Sequence, residues 1–217
     1  MTLSWTHVGR IWTNGEPFLA MDAPLREHWR GGTDEDAYAA LCHLGWEVTS
    51  VPVGPGRAAL IGTDGVVGDE GWLEVFTVAH DALAVVQVSG PDYGSLLSAA
   101  LSLPVDDDDA GDVIEVRSGD LALFSAAMDG EGPHGAELVR ANAGPPPVTR
   151  PPMSRGLDPG LMLAMVQGEY TLRIRWYTEL GDDGCFARWL LLPATDARGR
   201  PDHPAAIASI SRSHWLS

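Results

Sequence analysis

The residues with the most reactive chemistry stand together at Cys42-His43, a thiol beside an imidazole. A thiol nucleophile needs a base within about 3 Å. Neighbours on a helix point about 100° apart, so on the helix expected here the two side chains diverge and form no dyad. The run Asp106-Asp107-Asp108-Asp109 suggests a calcium loop, with Asp106, Asp108 and Gly111 at its first, third and sixth positions. The match then fails: Ala110 takes the fifth position and Arg117 the twelfth, where a bidentate glutamate is required. Adjacent like charges resist packing, so the run reads as a solvated linker. Histidines 7, 28, 43, 80, 134, 203 and 214 show no HxxxH, HxH or HExxH spacing. Phosphate-loop, dinucleotide-loop and nucleophile-elbow glycine patterns are absent, and Gly54-Pro55-Gly56-Arg57 falls between strands, where it cannot open a phosphate-binding helix. No catalytic residue, metal or cofactor is expected.

Protein contact is the remaining chemistry. His28-Trp29-Arg30-Gly31 precedes the acids Asp34, Glu35 and Asp36. Exposed Trp and Arg are typical hot spots, and a carboxylate cluster beside them steers a basic partner. Against this, Trp29 has an alternative role packing over a helix start, and the acids have one favouring its dipole. The whole chain of 217 residues carries a formal charge of −16, and all 14 of its basic residues are arginine. Such a surface disfavours nucleic acid and anionic membrane. Residues 1–111 hold 17 acids against 4 arginines, whereas residues 112–217 hold 13 against 10, so the first half carries the negative field. No stretch approaches the roughly 20 apolar residues of a membrane span, and Cys42 and Cys185 have no close-spaced neighbours. A cytoplasmic protein is expected, with both cysteines as reduced thiols in the core.

The elements that must position these residues are legible as alternating and helical patterns. Trp12 to Met21 is extended and broken at Asn14-Gly15. Thr33 and Asp36 have capping-box spacing ahead of Ala37, Ala40, Leu41 and Leu44, with Gly45 closing the helix. Trp46–Val53 and Arg57–Ile61 flank the Gly-Pro-Gly turn, and 72–79 with 83–88 make a second strand pair. Asp92 caps a helix to Leu103 that buries Leu96, Leu97, Ala100 and Leu101. Val113–Arg117 and Leu121–Ala126 read as a hairpin around Ser118-Gly119. A proline-rich loop fills 142–160, and Tyr170, Leu172, Ile174 and Trp176 alternate with Thr171, Arg173, Arg175 and Tyr177, so one face is apolar and the other wet. Cys185–Leu192 is the partner strand. The expected fold is α+β, predominantly antiparallel β-sheet with two or three helices in two small subdomains, 1–104 and 112–217, joined by an acidic linker over 105–111. Trp46, Trp72, Trp176 and Trp189 are expected in the core. No internal repeat is visible.

Several short pieces, in order, resemble the immunity protein 21 family, whose members neutralise polymorphic toxins. They are Trp12 with Gly15-Glu16-Pro17, His28-Trp29-Arg30-Gly31, Asp36-Ala37-Tyr38 with Leu41-Cys42, and Val53 to Asp64. Weaker echoes are Leu121 to Ala127 and Gly168 to Arg173. The resemblance implies a non-catalytic inhibitor whose partner is a cognate toxin, and supplies no binding residues; the charge and hot-spot reading puts the contact, toward a basic partner surface, at Trp29, Arg30, Asp34, Glu35 and Asp36. The alternative is a small-molecule binding protein or enzyme with its pocket between the two β-rich halves.

Overall fold

The computed structural model describes residues 4–45, 47–62, 67, 70–78, 81–106, 108–153, 159–180 and 183–194. Trp46 and the tail from 195 lie outside them. The fold is α+β and mostly antiparallel, with its strands divided between two sheets. In chain order the strands are β1 (Thr6–Asn14), β2 (Phe18–Asp22), β3 (Ser50–Val53), β4 (Gly56–Ile61), β5 (Glu70–Val78) and β6 (Ala82–Ser89). They continue with β7 (Asp109–Val116), β8 (Asp120–Ser125), β9 (Leu138–Arg140), β10 (Gly160–Ala164), β11 (Gly168–Leu180) and β12 (Gly184–Pro193). A 3-10 segment, Ala23–His28, and helix α1 (Glu35–Cys42) separate β2 from β3; helix α2 (Tyr93–Ser102) follows β6.

The first sheet runs β1-β5-β6-β12-β11-β7 and the second β3-β4-β2-β8-β10-β9. Alternation decides what each strand faces. Leu121 and Leu123 of β8 join Ile11, Val75, Leu172 and Trp189 in the core between the sheets. Ala122 and Phe124 point the other way, into a second cluster with Trp29 and Leu41. On the far side of the first sheet, Phe76, Val86, Phe186 and Leu190 pack against Tyr93, Leu96, Leu97 and Ala100 of α2. The order of layers is therefore α1 with the 3-10 segment, second sheet, first sheet, α2. The face of β11 expected to be wet is half-buried instead: Arg173, Arg175 and Tyr177 are partly covered, Arg175 donates to the Pro104 carbonyl and Tyr177 packs against the α2 cluster. Tyr170, Leu172 and Ile174 are buried as expected, and Trp176 is half-buried.

Strand order also corrects the expected division. Each sheet takes three strands from before residues 105–111 and three from after, so the halves interlock and are not separate subdomains. They are instead a topological repeat that the sequence does not display. β1 to β6 take the places 1-5-6 and 3-4-2, and β7 to β12 take the same places in reverse across the β6–β12 and β2–β8 seams. Both seams are antiparallel, as a two-fold axis through them requires. In both repeats a glycine with positive φ, Gly15 at 94° and Gly119 at 84°, passes the chain between sheets. The Ser118-Gly119 turn therefore makes no hairpin: β7 pairs with β11 and β8 with β2 and β10.

The acidic run, expected as a solvated linker, is a further correction. Asp108 is 5% exposed and Asp109 already belongs to β7. Asp108 receives both its short bonds from Nη2 of Arg188, at 2.6 and 2.8 Å, while Arg173 Nη1 donates to its backbone carbonyl. Burial pushes its carboxyl up, and the guanidiniums of Arg188, Arg175 and Arg173 act against that. Arg188, 1% exposed on β12, also donates to the carbonyls of Ala100, Leu103 and Pro104, which are the loose ends of α2. A guanidinium from the second repeat thus holds the helix of the first.

Candidate partner-binding surface

The 28–36 segment leaves the 3-10 segment at one end of the second sheet. Trp29 is 8% exposed, and its indole Nε1 donates to the Ala126 carbonyl at 3.0 Å. It is a core residue, which corrects its expected role as an exposed anchor. A Cβ on Gly31 would meet that same carbonyl at 1.9 Å, and one on Gly54 would meet the His28 ring at 2.3 Å. Close approach explains both glycines. Arg30 is exposed, and its Nη1 donates to the Glu131 carbonyl at 3.1 Å.

Asp34 caps α1, accepting from the Ala37 amide at 3.1 Å. The cap is Asp34 and not Thr33, because Thr33 is occupied elsewhere. Its hydroxyl and amide, with the Gly32 amide, all donate to the carboxylate of Asp129, itself 3% exposed. Asp129 therefore pins the loop from which the helix starts. Glu35 and Asp36 sit in the first turn, where a carboxylate complements the helix dipole, and both are exposed, as is Asp34. Four of the five expected contact residues thus share an exposed edge with Glu131, and Trp29 lies beneath them.

The same end of the molecule is concave, which the sequence reading missed. A cleft of about 520 Å³ is lined by Asn14, Glu16, Tyr38 and Cys42, among others. A smaller one of about 240 Å³ shares Asn14 and Glu16 and reaches Trp12, Met128 and Glu137. The β1–β2 turn that forms their common wall is internally bonded: Thr13 Oγ1 accepts from the Gly15 amide at 3.0 Å, and Glu16 Oε2 accepts from the Asn14 amide at 2.8 Å. Opposite it, Tyr38, Leu41 and Cys42 share one face of α1 by their i, i+3, i+4 spacing, the one available sequence signal for this wall. Burial first, then the Cys42 thiol and the Glu16 carboxylate, push the Tyr38 phenol up to about 12.

A second polar cluster unites residues distant in sequence. Glu74, with no exposure, takes His7 Nε2 at 2.6 Å on one oxygen and the Tyr93 hydroxyl at 2.9 Å on the other. Arg10 Nε lies 3.6 Å away. With both oxygens engaged inside the protein, the cluster ties β1, β5 and α2 together. Cys42 is exposed on α1, which corrects its expected place in the core, Cys185 is half-buried, and His43 ends the α1 helix. Among the described residues, no group of three or more His, Cys, Asp or Glu is placed to hold a metal ion. No helix among them is long and apolar enough to cross a membrane. Compared with protein-family models, curated proteins and solved structures, the chain matches none of them.

Proposed function

We propose that this chain is an immunity-type inhibitor, which binds and neutralises a cognate bacterial toxin in the cytoplasm without chemistry of its own. The observation that carries the reading is the exposed acidic edge of Asp34, Glu35, Asp36 and Glu131 around Arg30, beside two clefts that share a carboxylate. Such an edge favours a basic partner surface and speeds its encounter. The resemblance of short sequence pieces to immunity protein 21 is what makes the proposed partner a toxin. Several of its pieces converge here, since Gly15-Glu16-Pro17, Tyr38 and Leu41-Cys42 line one cleft and Trp12 the other.

The alternative, a pocket between the β-rich halves, finds less support. The space between the sheets is filled by apolar side chains, and Arg173 and Arg188 are directed to Asp108. The test begins with a pull-down by the full chain from its native host, to identify the partner, followed by association rates in stopped flow. Asp34→Asn with Glu35→Gln is expected to slow association several-fold at 0.1 M salt. The difference should shrink toward 1 M, as the Debye length falls from about 10 to about 3 Å. Rates that ignore both the substitutions and the salt overturn docking at this edge.

A further inference from the structure

The two repeats treat the acid after their sheet-crossing glycine differently. In the second repeat, Gly119 is followed by Asp120, whose two carboxylate oxygens take Nη1 and Nη2 of Arg140 at 2.7 and 3.3 Å. In the first, Gly15 is followed by Glu16, whose carboxylate takes only a backbone amide among the described residues. Where an arginine fork closes over the acid of one turn, the other turn has a cleft of about 520 Å³. Its walls bring the Glu16 carboxylate and the Tyr38 ring to one space, and the negative charge of Glu16 is felt at the Tyr38 phenol. A carboxylate beside an aromatic ring is the combination that suits a guanidinium, which pairs with the first in its plane and stacks on the second.

We infer that this cleft is the seat of an arginine side chain supplied by the partner, held on Glu16 and Tyr38 as Arg140 is held on Asp120. The inference rests on the proposed inhibitory reading, and adds to it the side chain that anchors the partner. The turn is prepared for it. Its backbone is fixed by Thr13 and by Glu16's own bond to the Asn14 amide, so little ordering remains to be done on binding.

The test uses the full chain and a hexa-arginine peptide at about 0.1 M salt, where long-range attraction to the net charge is largely screened. Cys42 is exposed on the cleft wall and reports occupancy through its alkylation by iodoacetamide, followed by mass spectrometry with half-buried Cys185 as internal reference. The peptide is expected to slow Cys42 alkylation about fivefold or more, and hexa-lysine less than half as much. Glu16→Gln, which keeps an oxygen for the Asn14 amide, should abolish the protection without changing the melting temperature. Asp34→Asn with Glu35→Gln should leave it within twofold. Absence of protection, equal protection by hexa-lysine, or protection that survives Glu16→Gln overturns the arginine seat. None of those results bears on the association rates at the α1 edge, so the seat can fail while the inhibitory reading stands.

Discussion

The two repeats place equivalent strands in equivalent positions and differ in what joins them. Between β2 and β3 the first repeat inserts the 3-10 segment and α1; between β8 and β9 the second has only the loop that carries Asp129. The β3–β4 connection is a tight turn at Gly54, with φ 53°, and the pair is antiparallel. The corresponding β9–β10 connection holds the proline-rich stretch, and that pair is parallel. Parallel neighbours need a crossover of a dozen or more residues, so the long loop and the reversed strand are one fact seen twice. Charge follows the same division. On either side of its sheet-crossing glycine the second repeat pairs an acid with an arginine, Glu115 with Arg117 and Asp120 with Arg140. The acids along the α1 edge of the first face solvent. The strand framework is held in common, while α1 and its exposed carboxylates are an insertion in one copy, to which the other adds Glu131.

The most severe way to break this arrangement is at Arg188, where the second repeat grips the first. Removing one member of a buried ion pair leaves the other charged and unpaired, at a cost of about 3–5 kcal/mol. Arg188→Leu is therefore expected to lose that much in urea denaturation, and to loosen α2 as well. The double change Arg188→Met with Asp108→Leu should recover most of the loss, because no buried charge is then left over. A loss below 1 kcal/mol for Arg188→Leu would mean that the repeats are joined by their seams alone.

How much of this was legible differs by the range of the interaction. Local chemistry was readable: the Gly54 turn, the Asp92 cap on α2 and the alternation of Tyr170, Leu172 and Ile174 all stand where the pattern put them. Thr33 and Asp34 are both competent caps, and the choice between them was made by Asp129, 96 residues away from Thr33. Trp29 has polar neighbours in sequence, yet its partner is a carbonyl 97 residues on. The four consecutive aspartates gave a sound argument for solvent, and it fails at Asp108 because three arginines from strands beyond residue 170 converge on it. Alternation marks which face of a strand is apolar without saying which sheet it joins, and so the repeat and the Gly15 and Gly119 crossings stayed hidden. Glu74 had a faint signal, a lone acid inside Trp72-Leu73-Glu74-Val75-Phe76, while His7 and Tyr93 gave none.

That cluster sharpens the comparison in a second way. The outer side of the first sheet is closed by Arg188 in the second repeat and by Glu74 with His7 and Tyr93 in the first. Burial, then the Glu74 carboxylate, hold the Tyr93 phenol far above its ordinary 10.0. The folded chain thus keeps a proton that the unfolded chain releases above about pH 10. Stability from this group is fully present below that pH and is lost as pH rises, at about 1.4 kcal/mol per unit. Tyr93→Phe should be less stable at pH 9, having lost a hydrogen bond, and should lose about 1 kcal/mol less than the parent chain between pH 10 and 11. Parallel declines in denaturation curves at the two pH values would remove Tyr93 from the network.

The smallest effect expected is at the pair that defines the contrast between the turns. Arg140 and Asp120 have side chains 65% and 33% exposed, and so sit where water screens an ion pair. Exposed pairs contribute about 0.2–1 kcal/mol, so Arg140→Ala should cost no more than that, and the cost should fade in 1 M salt. The size matters because of what it says about Glu16. If a guanidinium adds little to the fold at Asp120, the first repeat loses little by lacking one, and a turn with its acid left open is stable without compensation. If Arg140→Ala instead costs more than about 2 kcal/mol with no dependence on salt, the fork is a structural lock. The first repeat would then need a lock of its own, and Glu16 would have to be read as part of the fold and not as a site kept free for a partner. Chemical denaturation of Arg140→Ala at 0.1 and 1 M salt separates the two.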